Sequence, residues 1–214
     1  MSPSPSGSVN EALLEAAANN DVEAARRLIA QGADVNHVND RIESAFLIAT
    51  SEVGDDPALL DLTIASGADI AAKDSYNGTG LIRAAERGFP TIVARLLDEG
   101  IDVNHVNNLG WTALHEAIIL GDCSESYVEV VQLLVDGGAD VRLPSRTDAV
   151  TPIDHAQQRG FTEIADILRR AERGMSPDQR LLDAASDGSV IAVNAALEAG
   201  ADIVDTALSP MANG

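Results

Sequence analysis

A chain of 214 residues that is 45% hydrophobic can bury a core of ordinary domain size, which excludes intrinsic disorder as a description of the whole. Six residues are aromatic and 17 are glycine, with alanine and leucine abundant, so the apolar material is small and helix-favouring and argues for packed helices. Thirty-four acidic against 14 basic residues give a net charge of −20, which excludes nucleic acid and anionic membrane as main partners and favours basic proteins or cationic ligands.

Residues 1–7 open the chain as a flexible tail, and MSPSPSGS has neither the basic start nor the apolar centre of a signal peptide. No apolar run reaches the roughly 18 residues of a membrane span. The chain therefore reads as a cytoplasmic monomer, or as periplasmic or secreted if an export signal has been removed. Its single cysteine, Cys123, excludes an internal disulfide framework and, beside four histidines, a cysteine-rich zinc site.

Next along the chain comes a repeat. GADVN at Gly32 returns as GADI at Gly67, GIDVN at Gly100, GADV at Gly138 and GADI at Gly200. Upstream of each lies the same pair of apolar patterns, as in LLEAAANNDVEAARRLIAQG from Leu13 and GLIRAAERGFPTIVARLLDEG from Gly80. In the latter, Leu81, Ala84 and Ala85 share one helical face, Gly88 interrupts, and Ile92, Val93, Leu96 and Leu97 share another. Each unit is two short helices. Thr79, Thr112 and Thr151 stand at N-cap positions, Pro152 follows at a first helical position, and a glycine after each second helix supplies a left-handed C′ residue. A single unit cannot bury both faces, so the expected object is an all-α, elongated solenoid stabilised by unit and nearest-neighbour terms.

The pattern resembles the ankyrin repeat. The resemblance rests on TGLIRAAERGFPTIVARLLDEGIDVN (Thr79 to Asn104), TALHEAIILG (Thr112 to Gly121), TPIDHAQQRG (Thr151 to Gly160) and the recurring GAD, and it covers the chain from about Asn10 to Ile203. Six units begin near residues 8, 39, 74, 107, 146 and 176, forming one repeat domain over 8–206 with a C-terminal tail at 207–214 that is frayed or the stub of a longer protein. Three departures are expected to lengthen loops or alter a turn: extra residues around Val53 to Pro57, further ones around Cys123 to Tyr127, and Glu172 where glycine is usual.

Motifs for chemistry are incomplete. His115-Glu116 begins an HExxH zinc motif, but Ile119 stands where the second histidine belongs, and His115 reads as the histidine of an ankyrin-type TxxH turn bonding to Thr112. Gly78-Thr79-Gly80 with Arg83 breaks the dinucleotide fingerprint, and the sequon Asn77-Gly78-Thr79 coincides with a repeat turn that wants positive φ. His37 and His105, in identical NHVN contexts two units and about 20 Å apart, cannot share a metal and read as solvent-exposed turn residues. No metal or cofactor is implied, and Cys123 reads as an ordinary thiol whose acidic neighbours raise its pKa.

Surface recognition remains. In ankyrin-like proteins the turn tips and first helices line a concave groove, and the resemblance carries that role to Asp40, Arg41 and Glu43 in the second unit and to Ser75, Tyr76, Glu86 and Arg87 in the third. It continues through Asn108, Leu109 and Trp111 in the fourth unit to Asp148 and Arg159 in the fifth. Tyr76 is either a partner contact or packing for the neighbouring turn; Trp111 is read as an exposed anchor whose loss weakens binding by about 2 kcal/mol with the fold intact. Between Arg95 and Arg142 nine acids meet no lysine or arginine, a field that serves either solubility or the steering of a basic partner. The reading is a non-catalytic protein-interaction scaffold with a basic partner; the alternatives are a small-molecule binder or enzyme using the groove near Trp111, and an acidic inhibitor of the immunity type.

Overall fold

A computed structural model describes residues 5–174 together with Ala185 and Leu197. The sixth unit expected from residue 176, the tail at 207–214 and residues 1–4 of the N-terminal tail lie outside the described residues. The chain divides into two compact units, Met1–Ala165 and Asp166–Gly214.

Within the first unit the helices come in pairs: α1 (Pro5–Ala18) with α2 (Val22–Ala30), α3 (Ala45–Ser51) with α4 (Ala58–Ala65), α5 (Gly80–Arg87) with α6 (Pro90–Asp98), and α7 (Ala113–Leu120) with α8 (Glu125–Asp136). α9 (Pro152–Gln158) is followed by α10 (Thr162–Gly174), which runs on into the second unit, where Arg169 pairs with Asp166 at 2.7 Å. Among the described residues there is no strand, only an isolated bridge between Lys73 and Thr79. α1 begins at Pro5, within the stretch 1–7 that the sequence assigns to a tail.

Local signals place the helix ends. The side chains of Ser44, Thr79, Thr112 and Thr151 each accept a hydrogen bond from the third residue of the following helix. After each second helix Gly32, Gly67, Gly100 and Gly138 have φ between 76° and 94°, the left-handed conformation the repeat demands of its C′ position. The insertion at residues 52–57 forms the expected longer loop between α3 and α4. That near Cys123 does so only in part: just residues 121–124 form the loop, and the remaining extra residues lengthen α8 to 12 residues against nine in α6. Glu125 opens that helix, where an acid meets the positive end of the dipole. Glu172 lies within α10, which continues to Gly174 in place of a glycine turn.

First helices pack on first helices in order, α1 on α3, α3 on α5, α5 on α7 and α7 on α9, while second helices cover them from one side, as the α6 and α8 contact shows. Alanines make this approach possible: Ala17, Ala45, Ala49, Ala84, Ala85, Ala113, Ala117 and Ala156 are all fully buried. At Gly80 a Cβ would stand 2.9 Å from the Thr50 methyl and 3.1 Å from the Phe46 ring, so α5 can start there only without a side chain. Larger side chains, Phe46, Leu47, Leu59, Leu60, Leu81, Ile92, Leu96, Leu114, Ile118 and Leu134, fill the space between the two helix layers.

Each pair is joined to the next by a turn built around one short polar side chain. Asn39 Oδ1 accepts from the amides of Arg41 and Glu43, Asp74 Oδ1 from Tyr76 and Gly78, and Asn107 Oδ1 from Leu109 and Trp111, all at 2.8 to 3.0 Å. The turns are also tied to one another, with the Asn108 amide donating to Tyr76 O at 2.8 Å and the Arg146 amide to Gly110 O at 3.0 Å. Asn36 and Asn104, from the two DVN copies, bridge in the same way to the next unit: their amides donate to Gly67 O and Gly138 O, and their carbonyls accept from Asp69 N and Asp140 N.

Every turn needs one residue at positive φ, which falls on Ile42 (61°), Asn77 (59°), Gly110 (81°) and Ala149 (57°). Asn77, not Gly78, is thus the left-handed residue of the Asn-Gly pair. A β-branched residue is the poorest choice for that conformation, and Ile42 is 45% exposed, so little packing offsets the strain. Ile42→Asn, which copies the Asn77 turn, is expected to raise stability by about 1 kcal/mol, measured as a higher midpoint in urea unfolding at unchanged slope.

Candidate functional site

Besides a recess of about 340 Å³ at the turn tips, lined by Asn108 and Leu109 with Asn77, Arg146 and Thr147, two clefts lie along the side of the stack formed by the turns and the first helices. The larger, about 600 Å³, lies between the first and second helix pairs and brings Arg41 and Glu43 beside Glu11, Glu15 and Glu52. Arg41 extends into solvent while its Nε lies 3.2 Å from Glu43 Oε2, an exposed pair of small energetic weight. The second cleft, about 210 Å³, lies between the third and fourth units and is lined by Asp74, Tyr76, Gly78, Ile82, Arg83, Glu86, Asn107, Leu109, Glu116 and Leu120.

The rim of this second cleft is unusually apolar for exposed surface. Tyr76 is 62%, Leu109 44% and Leu120 51% exposed, three of the five large hydrophobic side chains that stand open to solvent among the described residues. Its floor is acidic. Glu116, only 4% exposed, receives a 2.7 Å hydrogen bond at Oε1 from the Asn107 amide, and its buried Oε2 has no hydrogen-bond partner among the described residues. Burial pushes the Glu116 carboxyl up to about 7, with smaller contributions from the negative charges of Glu86 and Asp74, while the Asn107 bond opposes the shift. Asp74 is already engaged, holding its turn and pairing with Arg83 at 3.2 Å. The Arg83 guanidinium is engaged too, reaching Glu52 at 3.2 Å and Ser51 Oγ at 3.1 Å. Among the described residues Glu86 has no such counter-ion.

On the other side of α7, Thr112 Oγ1 lies 2.9 Å from His115 Nδ1, and the Thr112 amide donates to the same nitrogen, the local turn bonding expected of a TxxH histidine. Burial, helped by the neighbouring His155, drives His115 down to about 4, so it is neutral at ordinary pH. Its ring meets that of His155 edge-on with centroids 6.1 Å apart. Among the described residues no group of three or more His, Cys, Asp or Glu side chains is arranged to hold a metal ion. Cys123 has its pKa raised, by burial first and then by Glu163.

The NHVN histidines are not the solvent-exposed residues the sequence suggests. Each ring is partly buried against the preceding unit, His37 Nε2 lying 3.1 Å from Glu11 Oε1 and His105 Nε2 2.8 Å from Asn77 O. His37 ties its turn to helix α1, and His105 ties its turn to the one before it.

Of the residues assigned from sequence, Asp40, Ser75 and Arg87 are exposed without lining any of these recesses, Asn108 lines the recess at the turn tips, and Asp148 and Arg159 are exposed further along the stack. Arg159 donates to Gly121 O at 2.9 Å and lies over the Phe161 ring. Trp111 is only partly exposed. It closes its turn through the Asn107 hydrogen bonds, its indole Nε1 is buried, and it does not line the cleft between the third and fourth units.

Family comparisons agree with this architecture. Models of the ankyrin repeat match residues 46–145 as three copies and residues 13–52 as a many-copy array. The chain is 38% identical over 142 residues to the ankyrin repeat protein YahD of Escherichia coli (strain K12), covering 66% of this chain and 69% of that one. The chain belongs to the ankyrin repeat family. An ankyrin repeat domain from Acinetobacter baumannii AYE, solved by crystallography, superposes with a TM-score of 0.70 at 42% identity, over 75% of this chain and 80% of that one. The mitochondrial disaggregase of Bos taurus is 31% identical over 86% of this chain, a match that spans 26% of its own length.

Ankyrin repeats are in general protein-interaction modules and not enzymes. Against that family background the feature missed from sequence is Glu116, together with Asn107 and Arg83 that organise its surroundings. The available signal was a glutamate within the apolar helix ALHEAIIL, next to the TxxH histidine, where an acid has no reason to be on packing grounds.

Proposed function

We propose that the chain is a non-catalytic scaffold that holds a basic partner protein across the turn tips and first helices of its third and fourth units. The observation that carries this reading is the cleft at that place, where Tyr76, Leu109 and Leu120 offer exposed apolar surface around an acidic floor. In this reading Tyr76 is the anchor. The wider charge fits a basic partner: of the nine acids between Arg95 and Arg142, Asp98, Asp102, Asp122, Glu125, Glu129 and Asp136 are exposed, and the field they set up would accelerate encounter. An acidic inhibitor acting on a basic effector is one form such a scaffold takes.

A carboxyl group held near 7 in a cleft is also what general acid catalysis requires, and it is the one observation favouring an enzymatic reading. The cleft lining contains no histidine, cysteine, serine, threonine or lysine to work with it. Binding is therefore the better-supported use of the site.

Affinity capture from the source cells, with the intact chain and a Tyr76→Ala/Leu109→Ala variant as paired baits, tests the reading. A partner retained by the first bait and lost by the second is expected. Its association rate should fall several-fold from low to high salt, and lysine in place of Glu125, Glu129 and Asp136 should reproduce much of that fall at low salt. Partners that come down equally on both baits would sink the assignment to this face.

A further inference from the structure

The cleft between the third and fourth turns presents an uncommon combination: a glutamate more than nine-tenths buried, one carboxylate oxygen of which is unpartnered, at the bottom of a recess with an apolar mouth. Burying a carboxyl group without a counter-ion is costly, and the cost falls when a cation enters. The cations nearby cannot fill that role, since Arg83 is already shared among Asp74, Glu52 and Ser51. Glu86 adds a second uncompensated carboxylate to the lining.

Resting on the scaffold reading above, we infer that this cleft receives a single lysine side chain from an extended, otherwise apolar segment of the partner protein, with Glu116 as its counter-ion. Glu116 Oε2 is shielded from water, so the ammonium group would reach it on a small side-chain adjustment at the floor, with Glu86 beside it, and the flanking apolar residues would cover Tyr76, Leu109 and Leu120. Lysine fits better than arginine for a geometric reason. An arginine fork pairs best with both oxygens of one carboxylate, but Glu116 Oε1 is held by Asn107 at 2.7 Å, which leaves Oε2 as the one unpartnered oxygen, suited to a point donor on a long apolar stem. The stem in turn would lie along Ile82 and Leu120, as lysine methylenes do on apolar surface.

The test uses the intact chain and a displayed library of random twelve-residue peptides, selected at pH 8 and low salt, from which the enriched sequences are synthesised. The expected result is a shared lysine with apolar neighbours. Lys→Met or Lys→Arg in the peptide, and Glu116→Gln in the protein, should each weaken binding tenfold or more, and Lys→Met should have little further effect on the Glu116→Gln protein, as a double-mutant cycle requires of a direct pair. Glu86→Gln, a surface change that leaves the fold intact, should weaken binding about threefold and serves if Glu116→Gln does not fold. Peptides that need Tyr76 and Leu109 but tolerate Glu116→Gln, or that bind as well with arginine, overturn the lysine assignment and leave the scaffold reading standing. Failure to select any peptide, or selection of peptides indifferent to Tyr76→Ala/Leu109→Ala, overturns both.

Discussion

Glu116→Gln should raise the stability of the chain by about 3 kcal/mol at pH 8, and the gain should disappear as the pH is lowered to about 4.5. The sign follows from the direction of the shift. Glu116 is held up to about 7 in the folded chain against 4.5 for an ordinary glutamate, so between these values the folded state binds the proton more tightly. Its contribution to stability is complete below 4.5 and is lost as the pH rises through 7. His115 does the opposite over nearly the same range. Its folded value of about 4 lies below the ordinary 6.5, so its contribution is complete above 6.5 and is lost as the pH falls through 4. In the unaltered chain the two neighbours largely offset each other between pH 4 and 7. In Glu116→Gln the opposing contribution of Glu116 is gone and that of His115 remains, so stability should fall by about 3 kcal/mol on acidification from pH 7 to 4, beyond any loss in the unaltered chain. Urea unfolding of both proteins at four pH values checks this, and parallel curves would show that Glu116 is ionised in the folded state much as it is in water.

Trp111→Ala and Tyr76→Ala should separate stability from binding. Trp111 is partly buried with its indole Nε1 enclosed, and it immediately precedes the Thr112 cap of α7, while the Asn107 hydrogen bonds that close the fourth turn run through its main chain and survive truncation. Removing its ring leaves a gap beneath that turn, with an expected cost of about 2 to 3 kcal/mol and a lower melting temperature. Tyr76, at 62% exposed, should cost less than about 0.5 kcal/mol of stability when truncated, yet about 2 kcal/mol of binding once the partner is in hand. Thermal melts and titration of the two variants side by side decide the matter. A Trp111→Ala protein that melts normally and binds poorly would return the anchor to Trp111.

Much of the fold is local in origin and could be read directly. Thr79, Thr112 and Thr151 cap helices, and Gly32, Gly67, Gly100 and Gly138 of the GAD and GID segments adopt positive φ, because caps and C′ conformations are decided within four or five residues. A repeat also makes its own tertiary contacts legible, since each unit packs on its sequence neighbour. What local pattern could not supply was the environment of single side chains. The tryptophan in a polar turn has the same local sequence whether its ring stands out or tucks under. The NHVN histidines look free in a polar tetrapeptide, but the preceding repeat, 26 and 28 residues earlier, lies within hydrogen-bond reach, through helix α1 for His37 and through a turn for His105. Glu116 is the strongest case. In sequence it is one acid among 34, and only the stacking of α5 on α7 and the Asn107 turn removes it from water and leaves Oε2 buried without a hydrogen-bond partner among the described residues, in a side chain that lines a cleft. Composition and periodicity thus determined the helix pairs, their caps and their order of stacking, because those depend on backbone geometry and apolar spacing. Desolvation, which sets both the charge of Glu116 and the exposure of Tyr76 and Trp111, was decided by the tertiary structure alone, because it depends on which atoms from distant parts of the chain displace water around each group.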